Sequence, residues 1–145
     1  MQIQFVENDG GRKKAGYKGR AGDCVVRAIA IATEQDYQTV YDELFKRNKR
    51  AFARRRNPKG SPSPRDGGTS TKVIRAYMED LGWAWTPTMG IGTGCTVHLR
   101  ADELPKGRVL LSLSRHLATV VDGVLHDTYD CSRDGTRCVY GYWTK

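Results

Sequence analysis

An Asp23-Cys24 pair heads a nearly uninterrupted apolar run, Cys24-Val25-Val26-Arg27-Ala28-Ile29-Ala30-Ile31-Ala32, and His116 and Asp127 follow far downstream. A thiol on the first turn of a buried helix, an imidazole to exchange its proton and a carboxylate to orient the ring form a nucleophile, base and orienter set. A free thiol has a pKa of about 8.5 and is mostly protonated at neutral pH; a helix N-terminus and an adjacent imidazolium both lower it. Cys24 would then attack as thiolate, His116 would protonate the leaving group, and Asp127 would hold the useful tautomer. The amide of Cys24 at the helix start offers one donor to an oxyanion. Asn8, Lys18 and Arg20 are upstream candidates for the second.

Strand parity selects His116 and Asp127 from their neighbours. Asp122-Gly123, between Val121 and Val124, is a two-residue hairpin signal, since both turn positions need positive φ. That turn sets Val121 against Val124, Val120 against Leu125, Ala118 against Asp127 and His116 against Tyr129. Alternate residues share a face, so His116, Ala118, Val120, Leu125, Asp127 and Tyr129 line one side, with His116 and Asp127 as diagonal neighbours. His126 and Asp130 fall on the other face.

The elements that must position these residues are helical first and stranded later. The run after Gly22-Asp23 is apolar on all sides except at Arg27, as in a helix inside a domain, with Asp23 expected as its N-cap. Tyr37, Val40, Tyr41, Leu44 and Phe45 recur at helical spacing and predict a helix from about Tyr37 to about Arg54. Thr71 to Leu81 reads as a shorter helix stopped by Gly82. From Trp83 onward, short β-favouring runs are separated by Gly, Pro and Asp: Trp83 to Trp85, Thr96 to Leu99, Val109 to Leu113, Leu117 to Val121, Val124 to Tyr129 and Cys138 to Trp143. Helices followed by an antiparallel sheet indicate α+β. One domain over residues 1–145 is expected, with a helical half at about 22–82 and a sheet half at about 83–143. Residues 6 to 22 read as an exposed lead-in.

The formal charge of +8 is concentrated rather than spread. Lys46, Arg47, Lys49, Arg50, Arg54, Arg55, Arg56 and Lys59 occur with no acid among them, within a basic stretch at about 46–68 that ends in a Pro/Gly-rich loop. Such a segment suggests an anionic partner, nucleic acid or an acidic protein, or else a solvated helix face. Beyond Phe52 no aromatic residue interleaves with these charges, so a base-stacking platform is not expected. There is no basic-then-apolar leader and no run of membrane-spanning length, which leads to the expectation of a cytoplasmic protein without a signal peptide. The four cysteines, Cys24, Cys95, Cys131 and Cys138, are accordingly expected as reduced thiols. Cys95, His98, Cys131 and Cys138 offer an alternative Cys3His zinc site, against which stands the wide gap between Cys131 and Cys138. No cofactor is expected. Gly90-Ile91-Gly92-Thr93-Gly94 lacks the lysine and the strand-loop-helix setting of a phosphate loop and reads as a flexible loop near the cleft.

Gly22-Asp23-Cys24-Val25-Val26-Arg27-Ala28-Ile29, with His116-Leu117-Ala118-Thr119-Val120-Val121-Asp122-Gly123 and Val124-Leu125-His126-Asp127, resembles a compact papain-like cysteine peptidase. It is similar in style to the small Asp-Cys peptidases of bacteria and their phages, including the peptidase domains of bacteriocin exporters. The resemblance implies a central helix bearing the nucleophile, packed on an antiparallel sheet bearing base and acid. It also implies a peptide or protein substrate and, for a phage-encoded chain, a place in the host cytoplasm. By motif, Cys24 matches the nucleophile, His116 the base and Asp127 the orienting residue. The glutamine common in the family about six residues before the nucleophile is replaced by Lys18.

Overall fold

A computed structural model describes residues 3–19, 22–56, 61–64 and 69–145; Arg20 and Lys59, named above, lie outside them. The elements run β1 (Gln4–Glu7), α1 (Cys24–Thr33), α2 (Tyr37–Ala53), α3 (Thr71–Asp80), β2 (Ala84–Pro87), β3 (Arg108–Leu113), β4 (His116–Val121), β5 (Val124–Asp127) and β6 (Gly141–Thr144). The class is α+β. Helix α1 is apolar all round because it is covered on both sides, by α2 and by strands β3, β4 and β5. It stops where Glu34 turns left-handed, φ 58°, and returns its N–H to the Ala30 carbonyl. Tyr37, Val40 and Leu44 of α2 are buried, as their spacing predicts, while Asn48 holds the Pro/Gly loop through the Pro62 carbonyl and the Thr69 hydroxyl. Helix α3 is capped by the Ser70 side chain, which accepts from the Val73 amide.

The sheet has the order β1-β5-β4-β3-β6-β2. The Asp122-Gly123 turn takes positive φ at both residues, 47° and 80°, and sets Val121 opposite Val124, Val120 opposite Leu125 and Thr119 opposite His126. That is the predicted register. Two expectations need correction. The sheet is mixed rather than antiparallel, because β1 joins β5 in parallel at the edge. All four β1 side chains are exposed, so no apolar alternation marks this strand in the sequence. Thr96 to Leu99 forms no strand, only an isolated bridge from His98 to Cys138.

Both faces of the sheet are covered. Leu110, Leu117 and Trp143 pack with the helices, and the Thr119 hydroxyl donates to the Ala28 carbonyl at 2.6 Å. Val109, Leu111, Ala118, Val120 and Leu125 point the other way, where Leu99, Cys131 and Val139 from the connecting segments close over them. At the other end, the Trp85 ring lies against Gly141 where any Cβ would sit. Gly141→Ala should therefore lower unfolding stability by about 1–3 kcal/mol in a denaturant titration; an unchanged midpoint would mean that Trp85 swings aside freely.

Candidate active site

Three element ends meet at one rim of the sheet: Cys24 is the first residue of α1, His116 the first of β4 and Asp127 the last of β5. The parity partners Ala118, Val120 and Leu125 belong to the core on the sheet face away from α1. The three residues can meet because each stands where its element begins or ends. His116 Nε2 lies 2.6 Å from Asp127 Oδ2. With Nε2 so engaged, Nδ1 is the ring nitrogen left for the Cys24 thiol, whose pKa the same imidazole lowers.

Burial alone would push the Cys24 thiol up. The His116 hydrogen bond, a hydrogen bond from the Leu117 backbone and the charges of His116 and Arg27 outweigh it, leaving the thiol below its usual range. Burial likewise disfavours imidazolium, yet the bonds to Asp127, Cys131 and Cys24 raise His116 to about 11. Asp127 is held below the usual carboxylate range, against its own burial, by His116 and the Thr128 amide. All three shifts favour a thiolate beside an imidazolium. Cys24 opens on a cleft of about 590 Å³ whose walls include Val25, Ile74, Ser112, His116 and Tyr129. The Tyr129 ring lies 5.5 Å from that of His116.

Asp23 makes no side-chain cap bond, contrary to expectation. Its buried carboxylate takes Arg27 Nε at 3.0 Å and the Tyr37 hydroxyl, and Arg12 Nε stands 3.1 Å away as an ion pair without hydrogen-bond geometry. Stronger cationic partners have claimed the oxygens that a cap would use. Arg27 also crosses to β5, a role its sequence position only hinted at as the one charge in an apolar run. Cys131 is the other residue that sequence reasoning missed, its thiol within 4.8 Å of the His116 and Asp127 side-chain ligand atoms; no local pattern marks it.

Of the proposed oxyanion donors, Asn8 and Lys18 are not brought to the cleft, and Arg20 lies outside the described residues. The Asn8 amide bonds His126 Nδ1 at 3.1 Å, and Lys18 is exposed, its carbonyl accepting from Arg12. His126 and Asp130 stay out of the His116 cluster as parity requires, with Asp130 capping Ser132. The reduced-thiol expectation fails for Cys95 and Cys138, which form a disulfide across 43 residues, while Cys24 and Cys131 remain thiols. The reason is the bridge that runs residues 97–99 beside 137–139. This also dissolves the zinc alternative: two ligands are spent, His98 pairs with Glu103 at 3.2 Å, and Cys131 lies at the rim with His116. His116, Asp127 and Cys131 are the one group of three such donors within 4.8 Å of one another among the described residues. Ring and carboxylate at 2.6 Å are closer than the ~3.3 Å that tetrahedral zinc bonds impose between ligands, so the cluster as it stands is not shaped for an ion.

In the basic segment, Arg47 is taken by Glu43 at 2.9 Å and Asp80 at 2.7 Å and lies over the Tyr77 ring, so it is no longer an anion-binding candidate. Lys46, Lys49, Arg50, Arg54, Arg55 and Arg56 are exposed. Among the described residues no helix is long and apolar enough to cross a membrane. No family model, curated protein or solved structure matches this chain.

The shifts dictate a pH profile. Thiolate forms as pH rises, so a lowered Cys24 pKa moves its reactivity to the acid side of an ordinary thiol, and the raised His116 keeps its proton until about 11. Alkylation by iodoacetamide should reach half its maximal rate well below pH ~8.5, with Cys131 unmodified because it is buried. Mass spectrometry across a pH series measures both; a midpoint at the ordinary thiol value would refute the ion pair.

Proposed function

We propose that this chain is a cysteine hydrolase that cleaves a peptide or isopeptide bond, with the papain-like division of labour among Cys24, His116 and Asp127. The observation that carries the reading is one imidazole held at 2.6 Å by a buried carboxylate and lining the same open cleft as a thiol at a helix start. In this reading the Cys24 thiolate adds to the carbonyl carbon, and the Cys24 amide, which has no carbonyl four residues back within the helix, receives the oxyanion. His116 gives its Nδ1 proton to the departing amine, leaving a thioester. It then takes a proton from water, whose hydroxide attacks the thioester and releases acid and thiolate. An amine in place of water would make the same site an acyl transferase, and ammonia as the leaving group a deamidase.

Cys24→Ala should remove turnover of a fluorogenic peptide or amide library by roughly 10³-fold or more, and His116→Ala comparably, because the two act as a unit. Asp127→Asn should retain part of the rate. His126→Ala should be mild, its ring being tied to Asn8 instead. Undiminished cleavage by folded Cys24→Ala would end the proposal.

A second reading, independent of catalysis, is polyanion binding along the C-terminal half of α2 and the arginines that follow it. It is favoured by the ion pairs found there: Arg47 is neutralised, while no ion pair is formed by Lys46, Lys49, Arg50, Arg54, Arg55 or Arg56 among the described residues. Lys46, Lys49 and Arg50 share one solvent face of the helix, with the Asp42 carboxylate on the same groove. Replacing Arg54, Arg55 and Arg56 with Gln should weaken retention on duplex DNA and flatten the log-log salt slope by up to about 3, while cleavage of a small neutral peptide continues. Equal retention by the variant would dismiss this surface.

A further inference from the structure

We propose that Arg27 is the positioning residue of the site, a buried guanidinium that clamps Asp127 in the orientation His116 requires and ties the start of α1 to the end of β5. The inference rests on the hydrolase reading above. A cation on an otherwise apolar helix is costly to bury unless paired, and pairing with Asp23, four residues back, would satisfy it locally. The side chain does more. Its Nη1 donates to the Thr128 hydroxyl at 2.7 Å and stands 3.4 Å from Asp127 Oδ1. The Thr128 amide donates to that same Oδ1 at 2.7 Å, and Oδ2 is left to His116. The carboxylate is therefore held on both oxygens and cannot rotate away from the ring.

Spacing gives the clamp its consequence. Cys24 and Arg27 are three residues apart, neighbours on one helical face. The nucleophile and the group that fixes the acid thus come from a single rigid turn. The backbone of that turn is itself braced: Gly10, at φ 69°, packs so closely that a Cβ there would stand 2.9 Å from the Arg27 carbonyl oxygen. The Asn8 amide, from the same segment, donates to the Asp127 carbonyl at 2.8 Å. The charged and titratable groups facing this turn are Asp23 with Arg12 and Tyr37 behind it, Asp127 and His116 from the sheet, and the Cys131 thiol. Arg27 also lies close enough to Cys24 to favour its thiolate.

The test compares Arg27→Met, which removes charge and fork, with Arg27→Lys, which keeps only the charge. Two readouts are used: the pH midpoint of Cys24 alkylation, which needs no substrate, and kcat and KM on a peptide. Arg27→Met should move the midpoint to higher pH and lower kcat at least tenfold with little change in KM; Arg27→Lys should restore the midpoint but not kcat. A folded Arg27→Met with wild-type midpoint and kcat overturns the proposal. If Arg27→Met does not fold, Thr128→Val loosens the clamp while sparing the Asp23 pair. It should lower kcat severalfold, and wild-type kcat in that variant overturns the proposal equally. A wild-type midpoint at the ordinary thiol value would instead defeat the hydrolase reading on which the proposal stands.

Discussion

A buried carboxylate shared by an imidazole and a guanidinium is the interaction on which the rest of this structure turns. Asp127 is almost wholly removed from water, and an isolated carboxylate there would be protonated or would unfold the rim of the sheet. His116 on one oxygen and Arg27 near the other keep it ionised. Arg27 in turn requires Asp23, and Asp23 recruits Arg12 and Tyr37. The chain of charges therefore runs from the N-terminal loop, through the start of α1, to the ends of β4 and β5. In a low-dielectric setting each member is tolerable only because the next is present.

That dependence explains why the site forms at a rim. Side chains on the sheet face away from α1 are committed to the second core, so a residue in mid-strand on that face could not meet a helix on the other. Only terminal positions can turn around the edge. The tight Ser114-Arg115 connection, with Arg115 at φ 54°, begins β4 at His116, and the Asp122-Gly123 turn fixes the register that brings Asp127 alongside. A slip of one residue would exchange Asp127 for His126. The edge strand β1 adds the last constraint, since its exit delivers Asn8 and Gly10 against Asp127 and Arg27.

The disulfide belongs to a different part of the fold. Cys95 and Cys138 tie an exposed loop to the segment entering β6, over the face of the sheet opposite α1. There the covering is made largely of connecting segments outside the sheet, and a cross-link removes much of the freedom they would have when unfolded.

The sequence by itself determined the features that depend on near neighbours: the apolar helix, the spacing of α2 and α3, the Asp-Gly hairpin and, through strand parity, the choice of His116 and Asp127. Each follows from a period of 3.6 or 2 or from a turn that demands positive φ, and such rules act over a few residues. Tertiary structure alone decided what depends on partners brought from afar. The exposed strand β1 has no pattern to betray it, Asp23 abandoned its cap for two arginines and a tyrosine, and Cys131 came to rest beside His116 and Asp127 while Cys138 bonded Cys95. A buried charge or thiol is committed by whichever group the folded chain sets next to it, and that proximity is not written in the spacing of residues.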